Sequence, residues 1–485
     1  MRTSIFISVI VLMLPAVCLA ATNTDTPHPQ PKVGVVGTAH LDTQWRWTIK
    51  NTIEEYIPAT LHDNFELLDV YPDYIFSFEG AFRYMLVKEY YPEDYARLKQ
   101  YVAGGRWRVT GSWVDAVDVN IPSFESLTRH ALYGNDFYKR EFGKQSYDIF
   151  MPDCFGFGYA LPSIAHHCGL KSFSTQKLTW GCSVPVPFSI GEWEGVDGST
   201  VIAALEPGSY TSTIHGDLSR DTLCIRMADE LGKETGAYLA YRYFGTGDTG
   251  GAPESLSVDW LEKSIRSDGP LKVAGVGADD LSKLVAEYPT ARLQRYNGEL
   301  LMTRHGTGCY TSQAAMKRWN RKNEQLADAA ERAAATAAML NGYTYPKETL
   351  RQAWVRFLWH QFHDDLTGTS IPEAYEYSWS DELLSLNQFS SVLVDALSAI
   401  TPLLDTRGKG KAVVVYNPLA IERDEVVEVP TPYEMAEVIG PDGEEVPSQV
   451  LAGPDGEDKL LFLATAPPVG YAVYDIREAR KASAA

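Results

Sequence analysis

Between Val33 and about Gly298 the chain alternates short β-rich runs with helical stretches, and that alternation narrows its fold more than any other feature. "YIFSFEGAF", "RWRVTGSWV", "YDIFMPDCFGF", "STVIAALEPG" and "YLAYRYFGTGD" read as strands, several followed by amphipathic or polar segments. Parallel strands need a crossover between them, so this order predicts an α/β domain on a largely parallel sheet over residues 33–300. From about Leu301 the text turns helical. "NEQLADAAERAAATAAML" is rich in strong helix formers. Leu350, Ala353, Trp354, Phe357 and Leu358 share one helical face, and Leu386, Phe389, Leu393, Ala396, Leu397 and Ile400 repeat the rhythm. Three such helices predict a bundle over 301–405. After "DTRGKGK" the runs "AVVVYNPL", "DEVVEVP", "KLLFLATAP" and "GYAVYDI" predict a partial antiparallel β-sandwich over 406–485.

The first twenty residues, "MRTSIFISVIVLMLPAVCLA", combine basic Arg2, an apolar centre and small residues near Ala20. They read as a signal peptide cleaved near Ala20, followed by a polar leader at 21–32, and so predict a secreted or periplasmic protein. No later stretch reads as long and apolar enough to span a bilayer. Cys154, Cys168, Cys182, Cys224 and Cys309 would remain, an odd number with no zinc-finger spacing, expected to be mostly buried thiols. A net charge of −20 argues against nucleic-acid partners and anionic membranes, and is easier to reconcile with a neutral substrate.

Chemistry-bearing residues recur at strand ends. His40 and Asp42 follow the first strand in "VVGTAHLDTQWRW"; at i and i+2 of an extended segment they project to one side. Asp153 ends "YDIFMPDCFGF", and Asp248 ends "YRYFGTGD". In open α/β sheets ligands bind beyond the carboxyl ends of the strands, so these residues are expected to share one rim. His363 in "HQFHDDLTGTS" falls well round from its helix's apolar stripe, and Thr367-Gly368-Thr369 can end the helix beside it. Two histidines and two carboxylates make a plausible N/O site for a divalent ion such as zinc, and a further carboxylate would supply an acid/base partner. Each piece alone also has a plain structural reading: H-x-D arises by chance, and Asp beside Gly favours turns.

Ordered stretches then resemble one family. "AHLDTQWRW", "GRWRVTGSWVDAVDVNIPSFESLTRHALYG", "MPDCFGFGYALPSIAHHCGLKSFSTQKLTW", "FSIGEWEGVDGSTVIA", "NGELLMTRHGTGCYTSQAAMKRWNRKNEQL", "HQFHDDLTGTS" and "VVVYNPLAIERDEVVEVP" are similar to the glycoside hydrolase family 38 α-mannosidases. The resemblance implies that His40, Asp42, Asp153 and His363 are zinc ligands, with cobalt or calcium as alternatives. It further implies that Asp153 is also the nucleophile of a retaining glycosidase, whose metal binds the mannose 2- and 3-hydroxyls. Asp248 is the preferred acid/base. It lies in "GDTGGAP", where two glycines of the family's usual loop are replaced, and Asp279 and Asp280 are the second candidates. Trp45 would line the sugar subsite or simply pack. Asp364 would orient His363 or contact a hydroxyl.

Members of the family usually continue through a large β-rich region, so the chain reads as a shortened form, with a second chain or an oligomer as its expected complement. The leading expectation is an α-mannosidase acting on mannose-containing glycans. The alternatives are a metal-dependent polysaccharide deacetylase, which would not need a nucleophile–acid pair, and a non-catalytic mannose-binding protein.

Overall fold

The computed structural model describes residues 29–453 and 457–479, so the expected signal peptide and most of the leader lie outside the described residues. Twelve strands come first: β1 (Lys32–His40), β2 (Phe76–Glu79), β3 (Trp107–Thr110), β4 (Asp148–Phe150), β5 (Gly156–Phe157), β6 (Ser172–Ser174), β7 (Ile190–Glu194), β8 (Thr200–Ala204), β9 (Leu239–Gly247), β10 (Lys272–Gly275), β11 (Arg295–Asn297) and β12 (Leu300–Leu301). In one sheet β9, β10 and β2 all pair in parallel with β1, and β3 continues beyond β2. A second sheet runs β11-β7-β8-β6-β4, parallel across β8, β6 and β4 and antiparallel at β7. The sheets adjoin where Ser112 N donates to Asp148 O (3.1 Å) and where Tyr243 N donates to Pro207 O (2.8 Å). The parallel strands therefore end on a common rim. Val33, Val35, Phe76, Phe78 and Trp107 bury one side of the first sheet against helices Ile57–Val70 and Ala81–Tyr90.

Helices Ala314–Asn341, Lys347–Trp359 and Pro372–Ile400 form the bundle. Ala327, Ala330, Ala333, Ala334 and Ala337 are buried, and their small side chains let the long helices lie close together. Trp354, Phe357, Phe389, Val392, Ala396 and Ile400 fill the apolar end. The buried stripe of the last helix runs through Glu382, Ser385, Phe389, Val392 and Ala396, one residue round from the expected Leu386 and Leu393. Polar residues hold that stripe because the end of the bundle nearest the rim has a hydrogen-bonded core. Asn323 donates to Glu382, Ser385 donates to Asn323 (2.9 Å), and Gln361 donates to Asn320 (2.7 Å). By length and composition the segment Pro372–Leu403 is apolar enough to cross a membrane, contrary to the expectation for the later chain, although it packs as a bundle helix.

Glu382 is a buried titratable group of that polar end. Burial pushes its carboxyl up to about 8 from 4.5, with His360 opposing. The folded chain thus holds this proton more tightly than the unfolded one. The stability it allows is present below about pH 4.5 and is lost as pH rises through about 8. Glu382→Gln removes that loss while keeping an acceptor for Asn323. Its melting temperature is expected to exceed the parent's at pH 8, on the order of 2–4 °C, and to match it near pH 5. Thermal melts at the two pH values check this; an equal shift at both would contradict it.

The remaining strands are β13 (Lys411–Asn417), β14 (Arg423–Pro430), β15 (Ala436–Ile439), β16 (Glu445–Val446), β17 (Ser448–Leu451), β18 (Lys459–Ala466) and β19 (Gly470–Glu478). They divide between two antiparallel sheets, β13-β19-β15-β16 and β14-β18-β17. Leu460, Phe462, Ala464, Val438, Tyr474 and Ile476 are buried between them. The inner faces thus cover each other, and the stacked Tyr416 and Tyr471 (4.9 Å) pack this layer on the bundle.

Candidate metal and catalytic site

The rim is set by strand register. β1 and β9 pair along their whole length, with His40 opposite Gly247, so both strands deliver their next residues to one place. Asp248 N donates to His40 O (3.1 Å). Gly247 is required there, since a Cβ would lie 2.1 Å from the Tyr210 ring. Asp248 itself takes φ 57°, a left-handed conformation that costs a non-glycine residue roughly 1–2 kcal/mol and that Asp tolerates better than most. Asp153 arrives from the turn after β4.

His363 reaches the rim from the bundle. Its helix was expected to run on to Thr367 but stops at Trp359, and residues 360–368 form turns. Tertiary contacts win over helix propensity here. His360 Nδ1 bonds Asp365 Oδ2 (2.5 Å), Gln44 Nε2 donates to Asp365 Oδ1 (3.1 Å), and Phe362 bridges to Val117. His363 N donates to Ala116 O (3.1 Å), and the side chain is fully buried.

Three atoms converge. Asp42 Oδ1 lies 3.0 Å from His40 Nε2 and 3.5 Å from His363 Nε2. All three are buried and have no hydrogen-bond partner among the described residues. The opposite ring nitrogens are engaged: His40 Nδ1 with Glu79 Oε1 (2.7 Å) and His363 Nδ1 with Ala116 O (3.0 Å). With Nδ1 donating, each Nε2 turns a lone pair inward, the arrangement metal-ligating histidines adopt. The electrostatics agree. Burial works to lower the His40 value, but Asp42 and Glu79 outweigh it and carry it up to about 10. Burial opposes ionisation of Asp42, yet His40 and His363 hold it well below the usual carboxylate range. The pocket calls for positive charge, and a divalent ion would supply it with both rings neutral. His40, Asp42 and His363 can therefore hold a metal ion. Asp153 Oδ2, 3.8 Å from His363 Nε2, stands next to them.

Asp153 and Asp248 form a second group with His40, one ligand atom of each lying within 4.8 Å of the others. Tyr210 Oη spans the carboxylates, 2.9 Å from Asp248 Oδ1 and 3.2 Å from Asp153 Oδ1. Burial, then Asp153 and Asp248, push the Tyr210 phenol far above its usual value, so it stays neutral. Lys177, 3% exposed, donates from Nζ to Asp153 Oδ1.

Asp364 is buried with Oδ2 3.5 Å from His363 Nε2, on the metal-facing side of the ring, so the Ala116 carbonyl orients His363 instead. Burial pushes Asp364 up to about 7. Trp45 is half-buried under the Arg46 guanidinium (4.1 Å). The structure does not bring Asp279 and Asp280 into this cluster: Asp280 pairs with Arg108 (2.5 Å) and Lys283 (2.6 Å), and Asp279 faces Arg108 (3.8 Å). Sequence reasoning missed Glu79, Lys177 and Tyr210. Glu79 ends β2 as His40 ends β1, so the strand-end rule could have found it; Lys177 opens a 3-10 helix (Lys177–Trp180) and Tyr210 lies in a turn, neither with a signal. The five cysteines are free, Cys154, Cys224 and Cys309 buried and Cys168 and Cys182 half-buried. A groove of about 1350 Å³, lined by Met85, Trp359 and Asp381 among others, lies elsewhere and includes none of the site residues.

The chain is similar to known proteins over most of its length. Residues 30–344 match the family model "Glycosyl hydrolases family 38 N-terminal domain", and residues 304–400 match "Alpha mannosidase middle domain". Alpha-mannosidase G of Dictyostelium discoideum is 33% identical over 374 residues, which is 77% of this chain and 33% of that protein. Alpha-mannosidase 2C1 of Homo sapiens is 30% identical over 408 residues, 83% of this chain and 38% of that protein. The chain thus spans little more than a third of these relatives' length. In fold it is similar to the crystal structure of an alpha-mannosidase from Enterococcus faecalis V583, with TM-score 0.74 and 18% identity over 94% of this chain and 57% of that one.

Proposed function

Because the chain belongs to glycosyl hydrolase family 38, we propose that it hydrolyses α-mannosides with retention of configuration, Asp153 acting as nucleophile and Asp248 as acid/base. The observation that carries this reading is the carboxylate pair. An oxygen of each lies within 4.8 Å of the other, and one phenol spans both, beside three metal-facing atoms. Retaining pairs stand roughly 5–5.5 Å apart and inverting pairs about 6.5–9.5 Å, to admit a water.

Asp153 attacks the anomeric carbon with a carboxylate oxygen. The C–O bond to the leaving group breaks, its electron pair goes to the leaving oxygen, and Asp248 protonates that oxygen. Asp248 then takes a proton from water as the water oxygen bonds the anomeric carbon. The ester to Asp153 breaks, and its electron pair returns to the carboxylate. Lys177 and Tyr210 hold Asp153 Oδ1, leaving Oδ2 on the His363 side. A divalent ion held by His40, Asp42, His363 and Asp153 would supply Lewis-acid binding of sugar hydroxyls. Two imidazole nitrogens with carboxylates suit zinc. Export belongs to the same proposal and is supported by the Arg2, apolar-run and Ala20 pattern.

The test is aryl α-mannoside hydrolysis by residues 21–485, with the first-formed anomer read by NMR before and after chelation. α-Mannose is expected first, with activity lost on chelation and restored by zinc. β-Mannose first would contradict the double displacement. Acetate release from an acetylated polysaccharide without sugar release would favour the deacetylase alternative.

A further inference from the structure

From the metal pocket a row of aromatic rings steps outward to solvent. Phe155 meets His363 edge-on at 5.9 Å, His305 meets Phe155 at 5.7 Å, and Trp180 meets His305 at 4.9 Å. Exposure rises along the row: Phe155 is 6% exposed, His305 is half-buried, and Trp180 is 51% exposed. Lys177 ties the outer end back to the chemistry. Its Nζ bonds Asp153 and lies 4.6 Å from the Trp180 ring centroid and 5.1 Å from that of Phe155.

We infer that Trp180, backed by His305 and Lys177, is the platform for the sugar bonded to the mannose being cleaved, an inference that rests on the mannosidase reading above. Core packing does not account for an indole half in solvent. The Lys177 ammonium and the His305 ring cover part of the Trp180 ring, and about half of the residue stays open to solvent. A pyranose presents a face of C–H groups and a rim of hydroxyls. An exposed indole beside a half-buried histidine matches both parts.

The platform is built in advance of any ligand. Thr303 N donates to Gly181 O (2.9 Å), Ser183 N donates to Leu301 O (2.6 Å), and Cys182 bridges to Met302, so the loops carrying Trp180 and His305 are strapped together. Gly306, at φ 73°, lets the His305 loop close on Phe155, where a Cβ would sit 2.7 Å from Cγ. Little ordering is then left to be done on binding. Release of a terminal mannose leaves one neighbouring sugar at the mouth of the pocket, and Trp180 stands at the solvent end of the row that starts at His363.

Trp180→Ala tests this. The ratio of kcat/KM for α-linked mannobioses over methyl α-mannoside, which has no second sugar, is expected to fall about tenfold. Trp180→Phe is expected to restore most of it. A ratio unchanged from the parent, with or without an equal loss on both substrates, overturns the platform and leaves the mannosidase reading intact. Calorimetric binding of mannobiose to the same proteins separates the two failures. If the parent cleaves neither substrate, the mannosidase reading fails. Trp180 as a sugar contact, without the cleavage role, then stands if Trp180→Ala weakens mannobiose binding, and falls if binding is absent or unaltered.

Discussion

Asp153→Asn is expected to lower turnover of an aryl α-mannoside by on the order of 10⁴-fold or more while leaving one metal ion bound per chain. The two halves of that result come from different oxygens and neighbours. An amide at this position cannot form the glycosyl ester, so the first displacement fails. The atoms of His40, Asp42 and His363 that face one another are untouched, and their ring orientations depend on Glu79 and Ala116. Lys177 loses its carboxylate partner, but its ammonium keeps the contacts with Phe155 and Trp180. Kinetics, metal analysis and a melting curve on one preparation check the prediction. Parent-like turnover would remove Asp153 from the chemistry. Loss of metal together with turnover would make it primarily a ligand.

His363→Ala is expected to behave differently. Metal affinity should fall by well over ~10²-fold, because partners that merely orient a ligand are already worth about 10–100-fold. Activity should fall with metal occupancy and recover only in part at high zinc. Glu79→Gln calibrates the scale: it weakens the support of His40 Nδ1 without removing a ligand, and about tenfold in metal affinity is expected. The parent's melting temperature should rise with added metal, since binding to the folded state alone stabilises it, and His363→Ala should need over ~10²-fold more metal for the same rise. Metal titrations and metal-dependent melts read both. A rise in His363→Ala at the parent's metal concentrations would place the ion elsewhere.

Much of the architecture is legible in the sequence because periodicity reports it directly. The strand-and-helix alternation to Gly298 appears as largely parallel sheets, and the three later helices appear as the bundle. The rim residues were legible for a topological reason: parallel strands end together, so His40, Asp153 and Asp248 meet despite their separation in sequence. What was illegible depends on tertiary contacts. The helix before His363 ends early because Asp365 and Gln44 capture His360 and its turn, and Ala116 and Val117 capture the backbone. The last helix rotates by one residue because Glu382 and Ser385 find partners on Asn323, a choice that hydrophobicity cannot anticipate. Tyr210 and Lys177 gain their roles only from what stands opposite them.

The bridge between Val117 and Phe362 has a kinetic side. His363 lies 247 residues beyond Ala116, the carbonyl that seats it, so this contact is among the most non-local in the chain. Non-local contacts bear the loop-closure entropy and tend to form late. The sheet would then stand with its rim complete except for one imidazole until the bundle arrives. Tight capture of the ion would thus be a signal that folding has finished, and its rate after refolding would time the docking of the bundle.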